Sequence, residues 1–353
     1  MNNLKKVGLS ALAGSLAMFS ANAVEYAVTG DAQVVYSTQD NVGNSNGGAT
    51  AGSGKGIGVD TDLYFNASGE LDNGWTVSVF TALDLEQSNT ATSGGINSSA
   101  QLTIGMGSLG TVQFNDVFGS AATSIDDVMP KAYEEPWDGT SHAAATHSFG
   151  VSTQSGSVDY RTPAFSLGMG TTVSAAATYD PNAGTGPAAA GGIGASSRGG
   201  TAYVAKIAHE SGLTLGGGIE EVENSGATDN GVNRATGYAL LNVGPLSAGY
   251  QETYVDSAHN SVGTAVVGAD IEIDMMGIAI TQGDFSVSYG SQNETTQAVS
   301  TTAALLEVEM TAIQASYSMG AMTLAASMYE TDNVGGVTAM TYEETELSVS
   351  FAF

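Results

Sequence analysis

Along most of this chain, apolar side chains occupy every second position. In the closing segment Leu347, Val349, Phe351 and Phe353 alternate with Glu346, Ser348, Ser350 and Ala352. Upstream, Val28, Ala32, Val34 and Tyr36 oppose Thr29, Asp31 and Gln33, and Val59, Leu63, Phe65 and Ala67 oppose Asp60, Asp62, Tyr64 and Asn66. Trp75, Val77, Val79 and Leu83 oppose Thr76, Ser78 and Asp84, and Val112 and Phe114 oppose Thr111, Gln113 and Asn115. A period of two is that of a strand whose two faces meet different surroundings. Later runs repeat it: Tyr203, Ala205 and Ile207 flank Lys206, and Val267, Ala269, Ile271 and Ile273 alternate with Asp270, Glu272 and Asp274. In each, the apolar set is expected to face hydrocarbon and the polar set water.

Connections between these runs alternate in length. Tight turns are predicted at Asp72-Asn73-Gly74, Gly105 to Gly110, Glu210-Ser211-Gly212, Gln282-Gly283-Asp284 and Gly320-Ala321. Between them lie long polar segments, of which Asp116 to Gln154 is the longest. Short turns on one rim and long loops on the other are what an antiparallel membrane barrel requires, and the pattern predicts about sixteen strands of roughly ten residues, the crossing length of a tilted strand. A soluble β-sandwich also alternates. Against it stand the absence of any linker dividing the chain and the acids at mid-strand positions, which suit a wetted lumen. The predicted fold is therefore all-β, a closed transmembrane antiparallel barrel.

Composition narrows the picture further. Lys5 and Lys6, the apolar run Val7 to Ser20 and Ala21-Asn22-Ala23 form an export signal, so the mature chain is expected to start at Val24. Two of the eight bases leave with that signal and none of the 36 acids, so the mature net charge is 6 − 36 = −30. Phosphate recognition needs a basic face, which excludes nucleic acid as a partner. Acidity alone could signal disorder, but 42% of residues are apolar and only 12% charged, enough to order a large sheet. With no cysteine, the exported chain must be held by backbone hydrogen bonds rather than disulfides.

Three segments resemble the general porins of Gram-negative bacteria, most nearly the trimeric Rhodobacter type. They are the mature start Val24-Glu25-Tyr26-Ala27-Val28-Thr29-Gly30-Asp31-Ala32, the run Gly107-Ser108-Leu109-Gly110-Thr111-Val112-Gln113-Phe114-Asn115-Asp116, and Leu347 to Phe353. The resemblance implies a sixteen-stranded homotrimer in outer-membrane lipid, a third long loop folded into the pore, and a C-terminal Phe353 that is read by the outer-membrane assembly machinery. It also implies a passive channel for small hydrophilic solutes and ions.

The third long segment, about 116–154, carries Asp116, Asp126, Asp127, Glu134, Glu135 and Asp138, with Lys131 the lone base, and is the expected constriction. Six carboxylates in a lumen would concentrate cations. The resembled porins set a basic cluster on the wall opposite such acids, but here only six bases remain. Parity places Asp159, Arg161 and Lys206 on the lumenal wall, because Val158 and Tyr160 take the lipid side. Crowded acids invite calcium, and Asp126, Asp127, Glu134 and Glu135 are the expected ligands.

Two other classes compete with a channel. A secreted calcium-stabilised adhesin or surface-layer protein would be freely soluble. A barrel enzyme would need a base such as His142 or His147 near Ser141 and Asp138, yet no nucleophile motif surrounds them, and as a zinc pair they lack a third ligand.

Overall fold

The computed structural model describes residues 25–42, 53–84, 97–116, 119–138, 149–150, 153, 156–181, 199–223, 232–256, 260–262, 265–267, 269–298, 306–334 and 340–353. The expected signal, residues 1–23, lies outside the described residues, as do His142 and His147.

The strands in chain order are β1 Glu25–Val42, β2 Gly54–Glu70, β3 Thr76–Asp84, β4 Asn97–Gly105, β5 Thr111–Asp116, β6 Ser157–Arg161, β7 Phe165–Gly168, β8 Thr171–Asp180, β9 Gly200–His209 and β10 Leu213–Val222. They continue as β11 Val232–Val243, β12 Leu246–Asp256, β13 Asn260–Val262, β14 Ala265–Val267, β15 Ala269–Gln282, β16 Phe285–Ala298, β17 Leu306–Met319, β18 Met322–Asp332 and β19 Thr341–Ala352. Seventeen of them form one sheet that closes because β1 pairs with both β2 and β19, while β13 and β14 make a separate ribbon. β6 and β7 both lie along β8 and are pieces of one wall strand, interrupted at Thr162-Pro163-Ala164. Proline cannot donate to the ladder, so the break falls there. Counted as one, they give a sixteen-stranded antiparallel barrel.

All the predicted tight turns recur at one rim, together with two that the sequence pattern did not single out, Met169-Gly170 and Gly244-Pro245. One of them needs glycine sterically. At Gly212 φ is +93°, and a Cβ would stand 1.9 Å from the Asn242 carbonyl oxygen. Closure is sealed at the same rim, where Gly30 and Phe353 exchange backbone hydrogen bonds of 2.7 and 2.8 Å. A Cβ on Gly30 would meet the Phe353 ring at 2.8 Å, so the C-terminal aromatic seats on a position without a side chain.

Burial runs opposite to that of a soluble protein. Outward Ile57, Ile313 and Met328 are 73%, 60% and 62% exposed, whereas inward Gln251 and Thr253 are fully buried. A surface of this kind faces hydrocarbon and encloses a polar interior, which removes the sandwich reading. Among the described residues no helix is long and apolar enough to cross a membrane.

One predicted face is reversed. Ile271 and Ile273, expected towards lipid, are 6% and 1% exposed and point inward with Met275, while Asp270, Glu272 and Asp274 point outward. The register settles this: Met275 lies opposite Gln251, whose side chain binds a segment inside the barrel. That segment explains the inversion, because it covers the inner wall there and makes it a place for apolar side chains.

Candidate functional site

Between β5 and β6 the described residues of the chain, 119–138, 149–150, 153 and 156, turn into the lumen. Its departure is held by Asp159 of β6, which is fully buried and accepts hydrogen bonds from the Ala121 amide at 2.7 Å, the Thr178 hydroxyl at 2.6 Å and Asn115 at 3.1 Å. Arg161 lies 2.9 Å from the same carboxylate and donates to the Gly119 carbonyl at 2.7 Å. The returning leg is held by Glu220 of β10, 2% exposed, which accepts from the Gly150 amide at 3.1 Å and the Thr153 hydroxyl at 3.0 Å and pairs with Arg234 at 3.1 Å. Two buried carboxylates thus anchor the two ends of the loop, each neutralised by one arginine. Buried charges persist only when paired and hydrogen-bonded in this way.

From Ile125 to Trp137 the loop lies across the inner wall from β12 to β18. Gln251 of β12 accepts from the Val128 amide at 3.1 Å and donates to the carbonyls of Ile125 and Asp126, both at 2.9 Å. Ser288 of β16 accepts from the Ala132 amide at 2.8 Å, and Gln314 of β17 accepts from the Tyr133 amide at 3.1 Å while donating to the Glu134 carbonyl. Wall amides and hydroxyls therefore satisfy a backbone that has no strand partner.

A trough without side chains receives the loop between these contacts. Gly249, Gly277 and Gly290 are register partners on β12, β15 and β16, and Ala312 of β17 continues the row. A Cβ would meet Met129 at 3.1 Å from Gly249, the Pro130 carbonyl oxygen at 2.8 Å from Gly277, and Pro136 at 2.9 Å from Gly290. Flanking apolar side chains complete the bed, with Met129 packed among Val255, Ile271, Ile273 and Met275, and Trp137 against Val308 and Met310.

The loop acids are arranged as follows. Asp126 accepts from the Asp127 amide and Asp127 from the Met129 amide, each at 2.8 Å, and burial raises both carboxyls, Asp126 to about 6. Glu134 accepts from the Tyr329 hydroxyl at 3.3 Å and is raised by burial and by nearby Asp138 and Glu344. Asp138 accepts from the Glu135 amide at 3.1 Å and is raised to about 6 by burial, against the pull of Lys131. Lys131 pairs with Glu135 four residues on. Asp116 departs from expectation: it ends β5 opposite Ala100, on the outward row of Phe114, and so lies outside the constriction. The four expected calcium ligands are dispersed too, since Asp126 and Asp127 serve local turns, Glu135 serves Lys131, and Glu134 serves Tyr329.

On the wall, Asp159 and Arg161 point inward as parity predicts, but they are engaged with each other and with the loop. Lys206 faces the lumen opposite Ser174 and Gly216, exposed and towards the short-turn rim. The acids that face open lumen are others. Asp31, Asp62 and Asp84 are successive register partners on β1, β2 and β3, and the carboxylate oxygens of Asp60, Asp62 and Asp84 lie within 4.8 Å of one another. Asp60 is exposed, Tyr64 donates to Asp62 at 3.2 Å and stacks with Phe80, and Gln33 links this wall to the loop by donating to the Tyr133 hydroxyl at 2.9 Å. Their alternation was visible in sequence, but nothing in the pattern brought residues 31, 60, 62 and 84 to one place.

The shape is a closed barrel narrowed by an internal loop, open along β1 to β3. Comparison with known proteins agrees: a model of the Gram-negative porin family matches residues 8–353. The chain belongs to the Gram-negative porin family. Among solved structures it is similar to a Rhodobacter-type porin refined at 1.8 Å resolution (15% identity, TM-score 0.61, 93% of this chain and 100% of that one). It is also similar to an anion-selective porin from Comamonas acidovorans (12% identity, TM-score 0.65, 94% and 100%) and to OmpF of Salmonella typhi in complex with daunomycin (10% identity, TM-score 0.65, 93% and 97%). No curated protein matches the sequence. The resemblance drawn from three short segments is borne out, and family and fold together support a passive outer-membrane channel.

Proposed function

We propose that this porin is a cation-preferring diffusion channel for small hydrophilic solutes and ions. The observation that carries the reading is that carboxylates stand on both sides of the passage. Asp60, Asp62 and Asp84 occupy the open wall, Glu134 and Asp138 the loop, and the inward arginines 161 and 234 are each neutralised by a buried acid. Acids facing acids give a negative potential along the path rather than a field across it, which attracts cations and repels anions. A reversal-potential measurement across a planar bilayer under a potassium chloride gradient tests this. Cation preference is expected, and anion preference would overturn the reading.

Calcium belongs to the same proposal, at a different place from the one the sequence suggested. Three carboxylates with oxygens this close supply part of the six to eight oxygen ligands that calcium takes. Added calcium is then expected to lower potassium conductance in the native pore and to leave a pore lacking Asp60, Asp62 and Asp84 unaffected. We further propose export by a signal cleaved after Ala23, recognition of Phe353 by the barrel assembly machinery, and association of the mature chain as a homotrimer.

A further inference from the structure

Inward rows of β1 to β4 descend along the open wall from the constriction towards the short-turn rim. Gln33 and Asp60 pair at the level of the loop, where Gln33 reaches the Tyr133 hydroxyl. One row lower Asp62 pairs with Asp84, the next row sets Tyr64 opposite Ala82, and the third sets Phe80 between Asn66 and Gln101. Such rows are two residues, about 7 Å, apart. Tyr64 and Phe80 are thus diagonal neighbours, with ring centroids 6.0 Å apart and planes 19° from parallel.

An aromatic pair is unusual on this wall. Where the loop covers the lumen, inward apolar side chains such as Ile273 and Met310 are buried beneath it, whereas Tyr64 and Phe80 stay partly exposed. Rings left partly in water forgo stabilisation that burial of their apolar area would give. What they offer instead is a π face inside a wet channel. The Tyr64 hydroxyl donates to Asp62 at 3.2 Å and so ties one ring by its edge to the carboxylates above. On the side of the short-turn rim Phe80 lines a cavity of about 590 Å³ together with Asn66, Gln101, Ser68 and Glu25. Small-molecule sites span about 300–1,000 Å³, so this one has room for an organic solute.

Carboxylates next to π faces favour one class of solute. A ring attracts a cation to its face within about 6 Å of its centroid, and aromatic side chains recognise quaternary ammonium groups in this way. An organic ammonium ion gains twice here, because Asp62 and Asp84 hold its charge while Tyr64 and Phe80 take its apolar body. A neutral solute loses the first contact, and the negative potential repels an anion. We propose that Tyr64 and Phe80, with Asp62 and Asp84 on the side of the constriction, form a binding subsite for organic ammonium ions. The assignment deepens the reading that the pore prefers cations, and rests on it.

The test adds benzyltrimethylammonium to both sides of single channels in a planar bilayer bathed in potassium chloride. Benzenesulfonate, which carries the same ring with the opposite charge, is the control. Benzyltrimethylammonium is expected to lower the potassium current with a saturable concentration dependence, and benzenesulfonate to leave it unchanged. In Phe80→Leu the half-blocking concentration should rise by roughly 5-fold, the size of one cation–π contact, and Phe80→Tyr, which keeps a ring, should restore the native block. Open-channel current shows that each variant barrel has closed, so a change in block is not a failure to fold. Equal block of the native and Phe80→Leu pores overturns the aromatic subsite, as does a native pore that prefers potassium by reversal potential yet is not blocked, and both results leave cation preference standing. Equal block by the two probes removes the carboxylates from the site and overturns the ammonium assignment. A native pore that prefers chloride overturns the subsite and the cation reading together.

Discussion

The inner wall of this porin has two regions built from the same alternating pattern and put to opposite uses. From β12 to β18 most inward residues are small, apolar or neutral: Gly249, Gly277 and Gly290 form a trough, Ile273 and Met310 pack under the loop, and Gln251 and Gln314 bind its backbone. From β1 to β3 the inward residues include Asp31, Asp60, Asp62 and Asp84, left in contact with the aqueous lumen. What an inward position carries depends on whether protein or water lies against it. The covered wall fixes the aperture and the open wall sets the charge that a solute meets.

Breaking the covered wall should have the larger consequences. Glu220→Ala removes the partner of a buried arginine and the acceptor for Gly150 and Thr153. A loss of about 3–5 kcal/mol is expected in urea unfolding of the reconstituted protein. It should come with noisier single-channel currents as the returning leg comes free. Gly277→Val forces a side chain against Pro130 and Met129, with an expected cost of about 1–3 kcal/mol. Its clearest readout is a changed single-channel conductance while cation preference persists.

The open wall should respond in the reverse sense. Replacing Asp60, Asp62 and Asp84 together by Asn is expected to leave the unfolding midpoint unchanged or raised, because mutual repulsion is relieved. The cation-to-anion permeability ratio should fall several-fold, as expected when carboxylates are removed from the wall of a water-filled pore. Retained selectivity would show that the loop acids dominate.

The smallest effect concerns the loop carboxyls alone. Burial raises Asp126 and Asp138 from an ordinary 3.8 to about 6. A raised carboxyl is ionised at a cost in the folded state, so its penalty grows as pH climbs from about 4 to 6 and is constant above that. Taking the pore from pH 7 to pH 5 should therefore protonate these two groups, stabilise the loop slightly and reduce cation preference modestly. If the reversal potential is flat over that interval, they do not face the ion path.

Much of this could be read from the chain itself, and the misreadings share a cause. Alternation at 28–36, 59–67 and 347–353 identified the outward rows, and the parity of Val158 and Tyr160 put Asp159 and Arg161 on the inner side. The same reasoning inverted Ile271 to Asp274, because it took every inner surface to be wet. Arg161 was expected to act as a wall charge, yet its partner two residues away makes it a loop anchor. The glycine trough left no trace in sequence, since its members are 13 to 41 residues apart and meet only through register.

The sequence by itself determined that this is a closed sheet with two unlike faces, the rim that carries long loops, and a strongly anionic chain. A period of two and the chemistry of turns are local properties, written within a few residues. Which face looks inward at β15, which acids share the open wall, and what fills the lumen were decided only when distant strands came into register. Contrast between neighbouring side chains is local, whereas the medium each one meets is set by segments a hundred or more residues away.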